Sequence, residues 1–562
     1  MKAPIPDPLR LPAALAASLQ RRVRREWRAL PPHRLALAFP PTAGLAVRPR
    51  DSRPADPAAG AKLLAGVFEL GGETLDVGPR GDPWRRPPPS RRFAAALQSF
   101  AWLPDLLSRG EAGAREALRL WLEWRRVFGR FDDFAWSGLA LERRVFHLAC
   151  AAADLSPLVS EAEGAAYVDG LAQQARHLLG APDDPGRAAE RAAVAALVGA
   201  ALAGAPGEDL RAKALPRLAV RIAEAVLPDG VHASRAPQRG LDLLFDLLAM
   251  DDALSQLGAP APAEASRAID RLAAATRFFA LADGRLAAFQ GGEPGRRADV
   301  AAALAFDASR EIPRAALHGG YHRLEGGPLQ LVVDAGTPAP LAFAGSACAQ
   351  PGAITVAAEG RRLIVGSAWS AKAEVGGALR GPEGASCLGL DGAWPSTVLR
   401  HGVLAPGVNE RLESRLTAVA AERHQDGGET WLDISHDGWP GFACARRLYL
   451  DAATGELRGE DVLTPAGRGP IGRAGAPTPF TIRFVLAQDV AAQVAVDGKS
   501  AVLRPAGARG WRLRSDAAET RLAPGALFEN GAGRATQVLT LHGVTQPGQE
   551  ARVRWKLTRD EG

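Results

Sequence analysis

From Ser90 onward, apolar residues recur at the three- and four-residue spacing of helices that bury one face. SRRFAAALQSFAWLPDLL is amphipathic, and Ala112 to Phe128 places Leu118, Trp121, Leu122 and Arg125 on successive turns. Ser160 and Glu163 form a capping box for a helix predicted over Glu161 to Leu179. Further helices are predicted over about Arg187 to Ala203, Asp209 to Val226, Arg239 to Leu248 and Ala263 to Ala280. The junctions GAPDDPG, AGAPGED, LPDG and GAPAPA punctuate them. Serial helices with short turns imply antiparallel hairpins set in an arc or ring.

The helical period fades after Gly291, and from Gly319 the pattern shortens to strands. LQLVVDAG, AITVAAEG, RLIVG, TWLDISHDG, ARRLYLD, FTIRFVL, AAQVAVDG and ARVRWKL are separated by turn residues. Short strands at such spacing imply an antiparallel sandwich or barrel. The predicted organisation is a loop-rich segment with a basic helix over 1–89, a helical domain over 90–300 and a β domain over 301–562. The first segment carries Pro, Arg and Gly runs and one short hairpin over Ala65 to Val77.

Composition changes this picture little. At 562 residues the chain is too long for one core. Its 47% hydrophobic and 23% charged residues exclude a mainly disordered chain. The net charge of +6 is carried by Arg with only six Lys, which points to coding bias rather than to an acidic partner. No basic-aromatic nucleic-acid motif appears, so nucleic acid is not an expected partner. Cys150, Cys348, Cys387 and Cys444 form no CxxC pair. The apolar run Leu9 to Leu19 is interrupted by Arg10 and Pro12 and leads into Arg21, Arg22, Arg24 and Arg25, unlike a secretory signal. A solvated terminal helix is the first reading, and a helix lying on an anionic membrane surface the second. No run approaches a transmembrane span.

Several ordered segments resemble the heparinase II/III group of polysaccharide lyases. PDGVHASRAP (228–237) is similar to that family's DGGH-x-SR-x-P. AIDRLAAATRFFALADGRLAAFQGG, GGYHRLEGGPLQLVVDAG, DISHDGW and RRLYLDAATGELRGEDVL have counterparts in the same order, over Asp229 to about Phe528. The resemblance implies an α+β multidomain fold: an incomplete (α/α) toroid followed by an antiparallel β-sandwich. It implies β-elimination on a uronate-containing anionic polysaccharide, and a cell-envelope or periplasmic setting, whereas the sequence, lacking an export signal, suggests the cytoplasm.

β-Elimination needs a neutralised carboxylate, a base for the C5 proton and an acid for the departing oxygen. His232 and Tyr321 are the candidate catalytic residues, with Arg235, Arg239, His322 and Arg323 as candidate substrate-binding residues. For His232 the alternative is a turn in which it caps backbone groups, and for Tyr321 an interface anchor. Tyr167 and Tyr449 read as packing residues. Asp132-Asp133 and Asp251-Asp252 read as solvated surface rather than a hydrolase pair.

Against the family segments, Phe343, Ala385, Cys444, Val485 and Ala487 stand where relatives carry histidine. Phe, Ala and Val neither bind zinc nor exchange protons. His322, His401, His424, His436 and His542 make no metal motif, so no cofactor is expected. Two readings stay open: a polysaccharide lyase that has lost its β-domain histidines, and a catalytically inactive glycan-binding or scaffold protein on the same fold.

Overall fold

A computed structural model describes residues 11–136, 138–181, 185–369, 376–399, 411–414, 419–439, 441–466, 477–529, 531–546 and 548–560. His401 lies outside them. The described residues form two compact units that alternate along the sequence: 11–225 with 242–270, and 226–241 with 271–399 and 411–560.

The first unit is helical. Its helices begin where the side chains satisfy free N–H groups. Asp56 accepts from Ala58 and Ala59 ahead of Pro57–Leu64, and Ser90 accepts from Phe93 ahead of Arg91–Gln98. The predicted capping box of Ser160 and Glu163 is present and opens Glu161–Gly180. Trp84, Phe100, Trp102 and Trp124 pack ring on ring at 5.0–5.9 Å, beside Glu111–Phe128. The expected hairpin forms from Val67–Leu70 and Glu73–Asp76.

Four helices are absent from the periodicity reading, Pro31–Ala38, Pro57–Leu64, Arg297–Leu304 and, the longest of them, Gly138–Leu155. Eleven of its residues are buried, including Glu142, Arg144 and His147. A helix enclosed on most sides has no polar face to generate a period. Its buried charge is paired by neighbours. Arg144 donates to Gln174 at 2.6 Å and to the carbonyls of Gln98 and Ala135.

The second unit is a β-sandwich of antiparallel sheets. One has eight strands, running from Val419–Asp426 through Glu429–Trp439, Phe442–Asp451 and Glu456–Pro465 to Ala551–Arg559, Trp511–Ser515, Ser500–Pro505 and Val490–Val494. The other has nine, with Thr478–Leu486 at its centre and Tyr321–Gly326 and Leu329–Asp334 toward one side. Alternate residues point inward: Leu432 and Ile434, Leu448 and Leu450 from the first sheet meet Leu331, Val356, Ile482 and Phe484 from the second. Inside this core Arg446 pairs with Asp461 at 2.7 Å, and Trp555 Nε1 donates to the same carboxylate at 3.1 Å. The inward residues are mainly apolar, and the buried Arg446–Asp461 pair closes on itself and on Trp555.

Candidate functional site

The segment Val226–Leu241 and the strands at Tyr321–Gly326 and Leu329–Asp334 belong to one unit, and they gather most of the predicted residues. The helix ending at Ala225 turns sharply through Leu227 to Gly230, where Gly230 N–H donates to the Leu227 carbonyl at 2.9 Å. Gly230 has φ +81°, and a Cβ there would stand 1.9 Å from the Arg271 carbonyl oxygen. Only glycine fits. Asp229 accepts from the Gly319 N–H at 2.8 Å, which ties the turn to the start of the strand pair.

His232 is 1% exposed. Its Nδ1 accepts the Ser234 N–H at 3.0 Å, and Ser234 Oγ lies 2.8 Å from the same nitrogen. An acceptor Nδ1 places the proton of the neutral ring on Nε2. The ring meets Phe343 edge to face, centroids 5.7 Å apart.

Arg235 follows with φ +63°, a left-handed conformation costly for a residue bearing a Cβ. Tertiary bonds hold it there. Its Nε donates to the Gly319 carbonyl at 2.8 Å, its guanidinium pairs with Asp334, and its carbonyl accepts the Tyr321 hydroxyl at 2.7 Å. The guanidinium also lies 4.8 Å from the Tyr321 ring centroid. Gly336 makes room, since a Cβ there would be 2.4 Å from an Arg235 nitrogen. Burial opposes the charge on Arg235, but Asp334 overrides it and holds the guanidinium above its ordinary pKa.

Tyr321 is fully buried, with Phe279 edge-on at 4.9 Å and Phe289 at 5.3 Å. Burial, reinforced by Asp334, raises its hydroxyl well above the ordinary tyrosine pKa. Asp334 accepts a further bond from Gln290 at 2.7 Å, and Gln290 in turn accepts from the Cys348 N–H at 2.9 Å. Asp334 and Gln290 were not singled out by sequence reasoning. Their signal lay in the quoted segments, as an acid closing the apolar strand LQLVVDAG and an amide in AAFQGG.

The other predicted residues lie around this centre in different roles. His322 is buried on the neighbouring strand position, its pKa lowered to about 4 by burial and then by Arg423. Arg323 donates to the carbonyls of Phe278 and Ala280 at 2.7 and 2.8 Å, closing the end of the helix Ala263–Phe279, and pairs with Glu325. Arg239 is half-buried near the start of Pro237–Gln256.

Phe343, Ala385, Cys444, Val485 and Ala487 are all buried. Ala385 lines a cavity of about 10 Å³ with Gln290, Cys348 and Gln350, room for about one water molecule. Burial raises the Cys444 thiol far above its usual pKa. Among the described residues no group of three or more His, Cys, Asp or Glu side chains is placed to hold a metal. His436 is buried with its pKa lowered to about 4, chiefly by burial. A larger cleft of about 780 Å³ in the same unit is lined by Arg285, Arg297, Arg361, Arg362, Asp283 and Glu529. Ala487 lines it but none of the candidate catalytic or substrate-binding residues does, and three of its arginines are already paired, Arg362 with Asp283, Arg285 with Glu529 and Arg361 with Asp489.

The chain can be placed among known proteins. Residues 308–556 match the family model described as heparinase II/III-like, C-terminal. The chain is 46% identical over 554 residues to FtsZ-localized protein C of Caulobacter vibrioides, covering 98% of this chain and 96% of that protein. Among solved structures, Heparinase III superposes with a TM-score of 0.66 at 13% identity, over 87% of this chain and 81% of that one. A mutant of the heparan sulfate lyase HepC from Pedobacter heparinus does so with a TM-score of 0.57 at 14% identity, over 92% and 86%. These structures share its fold, a helical toroid followed by a β-sandwich. By its C-terminal domain, its fold and its end-to-end similarity to a named relative, the chain belongs to the heparinase II/III-like family.

Proposed function

We propose that this protein is a non-catalytic scaffold on a polysaccharide-lyase fold that works in association with FtsZ. The observation that carries the first half is the Tyr321–Arg235–Asp334 group. A general acid must reach its substrate, whereas the Tyr321 hydroxyl is fully buried and spent on the Arg235 carbonyl. Arg235, the expected carboxylate clamp, is spent on Asp334. The apolar residues at the family's histidine positions support the same reading. The second half rests on similarity to a protein named for its localisation with FtsZ.

The N-terminal helix Leu11–Ala29 supports a membrane-surface role in addition. Leu19, Val23 and Trp27 recur every four residues and are 65%, 60% and 53% exposed. Arg22, Arg24, Arg25 and Arg28 occupy the remaining sides. An unpacked apolar stripe ringed by arginine suits an anionic bilayer surface. Among the described residues no helix is long and apolar enough to cross a membrane.

Four measurements test this. A fluorescent fusion is expected to coincide with FtsZ in dividing cells, and purified protein to pellet with FtsZ polymers. Vesicles containing anionic lipid should bind the protein, and Trp27→Glu should release it. Ultraviolet absorbance should stay flat across heparan-type glycans and alginate. A steady rise from unsaturated uronate would overturn the non-catalytic reading, and absence of both FtsZ association and co-localisation would overturn the other.

A further inference from the structure

We propose that the outer face of the eight-stranded sheet is a docking surface for a proline-rich segment carrying basic residues. Strand register places His424 opposite Trp431, Trp431 opposite Tyr449, and Tyr449 opposite Arg458, so these side chains form one row across four strands. His424 is exposed, and Trp431 and Tyr449 are partly so. The rings of His424 and Trp431 are 5.6 Å apart and inclined at 44°, those of Trp431 and Tyr449 5.2 Å apart at 54°. The Arg458 guanidinium covers the far side of the Tyr449 ring at 5.2 Å.

The next row of the same face is acidic. Asp426 pairs in register with Glu429, Glu429 with Asp451, and Asp451 with Glu456. Glu456 is engaged by Arg458 and Lys556, and Glu429 accepts the Tyr449 hydroxyl at 2.8 Å. Asp426 is exposed and has no ion pair among the described residues. The face therefore offers an aromatic ridge with spare negative charge along one side.

Two features choose the occupant. Ring centroids 5.2–5.6 Å apart put the three rings in contact, so they present one stepped apolar ridge on which the flat faces of pyrrolidine rings can lie. The carboxylates ask for cations in the ligand. A polyproline II segment meets both demands, because it is already extended and loses little entropy on docking. From the His424 strand to the Tyr449 strand is about 10 Å, close to one polyproline turn of about 9 Å. The chain itself exposes one segment of this chemistry, Arg85-Arg86-Pro87-Pro88-Pro89.

The test uses the full chain and a fluorescein-labelled peptide with the sequence of residues 85–90, read by anisotropy. Saturable binding is expected, weakened about tenfold or more by Trp431→Ala and several-fold by added salt or Asp426→Asn. Trp431→Phe keeps a ring and should bind with intermediate affinity, and circular dichroism checks that each variant is folded. Absence of saturable binding overturns the proposal, as does equal binding by folded Trp431→Ala. A soluble β-linked glucan oligomer that binds through Trp431 while the peptide does not would also overturn it, giving the face to a glycan.

Discussion

Each compact unit buries a charged network, and the two are held by different means. In the helical unit Arg143 pairs with Glu142 at 3.0 Å and with Asp246 at 2.5 Å, Arg187 with Glu142 at 2.5 Å, and Arg53 lies 3.7 Å from Asp246. Most of these side chains come from helices whose backbone groups are already satisfied, so the network is mainly side chain to side chain, with Arg53 also donating to the Asp242 carbonyl at 3.2 Å. Burial outweighs the pull of Arg143 and raises the Asp246 carboxyl to about 6. In the β unit the charged pair is inseparable from the backbone. Arg235 needs a left-handed φ, its carbonyl takes the Tyr321 hydroxyl, and Gly230, Gly319 and Gly336 supply turn, acceptor and space. A network that constrains both backbone and side chain leaves a contiguous motif; one that constrains mainly side chains leaves scattered residues.

The comparison breaks most readily at the Arg235–Asp334 pair. Arg235→Met strands a buried carboxylate and is expected to cost about 3–5 kcal/mol of stability, measured by urea denaturation. A loss under about 1 kcal/mol would mean the pair is open to solvent. Gly230→Ala comes next. It forces a Cβ into the Arg271 carbonyl at an unfavourable φ, for an expected cost of about 3 kcal/mol, read as a fall in thermal midpoint. A neutral result would sink the claim that this turn demands glycine.

Acid sensitivity sharpens the picture of the β unit. His322 and His436 are lowered to about 4 by burial, against about 6.5 in an unfolded chain. Between those values the unfolded chain binds more protons. Stability from these groups is therefore complete above pH 6.5 and is lost as pH falls toward 4. The urea midpoint of His322→Leu should drop less than that of the native protein between pH 7 and pH 5, and parallel curves would refute the assignment. The smallest effect is expected for Tyr321→Phe, about 1 kcal/mol for one lost hydrogen bond. If Tyr321 were instead the proton donor of an elimination, this substitution would abolish turnover while leaving stability almost unchanged.

Much of the architecture was legible in residue patterns. The capping box of Ser160 and Glu163, the hairpin near Val67–Leu70 and the eight predicted strand segments follow from short-range rules of capping and alternation, whereas Val419–Asp426, Glu456–Pro465, Ser500–Pro505, Trp511–Ser515, Glu519–Glu529 and Ala532–Thr545 were not among the predicted strands. The helix Gly138–Leu155 escaped because its enclosure removes the polar face on which periodicity depends. The candidate site was legible as a set of segments but not as a set of roles. PDGVHASRAP announced a constrained turn containing His232 and Arg235, yet nothing local distinguishes an arginine aimed at a ligand from one aimed at Asp334, 99 residues away.

By itself, then, the sequence determined that a helical half precedes an antiparallel β half, because periodicity and turn chemistry are properties of contiguous chain. Only the tertiary structure decided that Tyr321 is an internal strut, that Asp334 and Gln290 complete its group, and that His424, Trp431 and Tyr449 stand in one row. Each of these depends on which distant strands become neighbours, and hence on whether a polar atom spends its hydrogen bond inside the protein or keeps it for something outside.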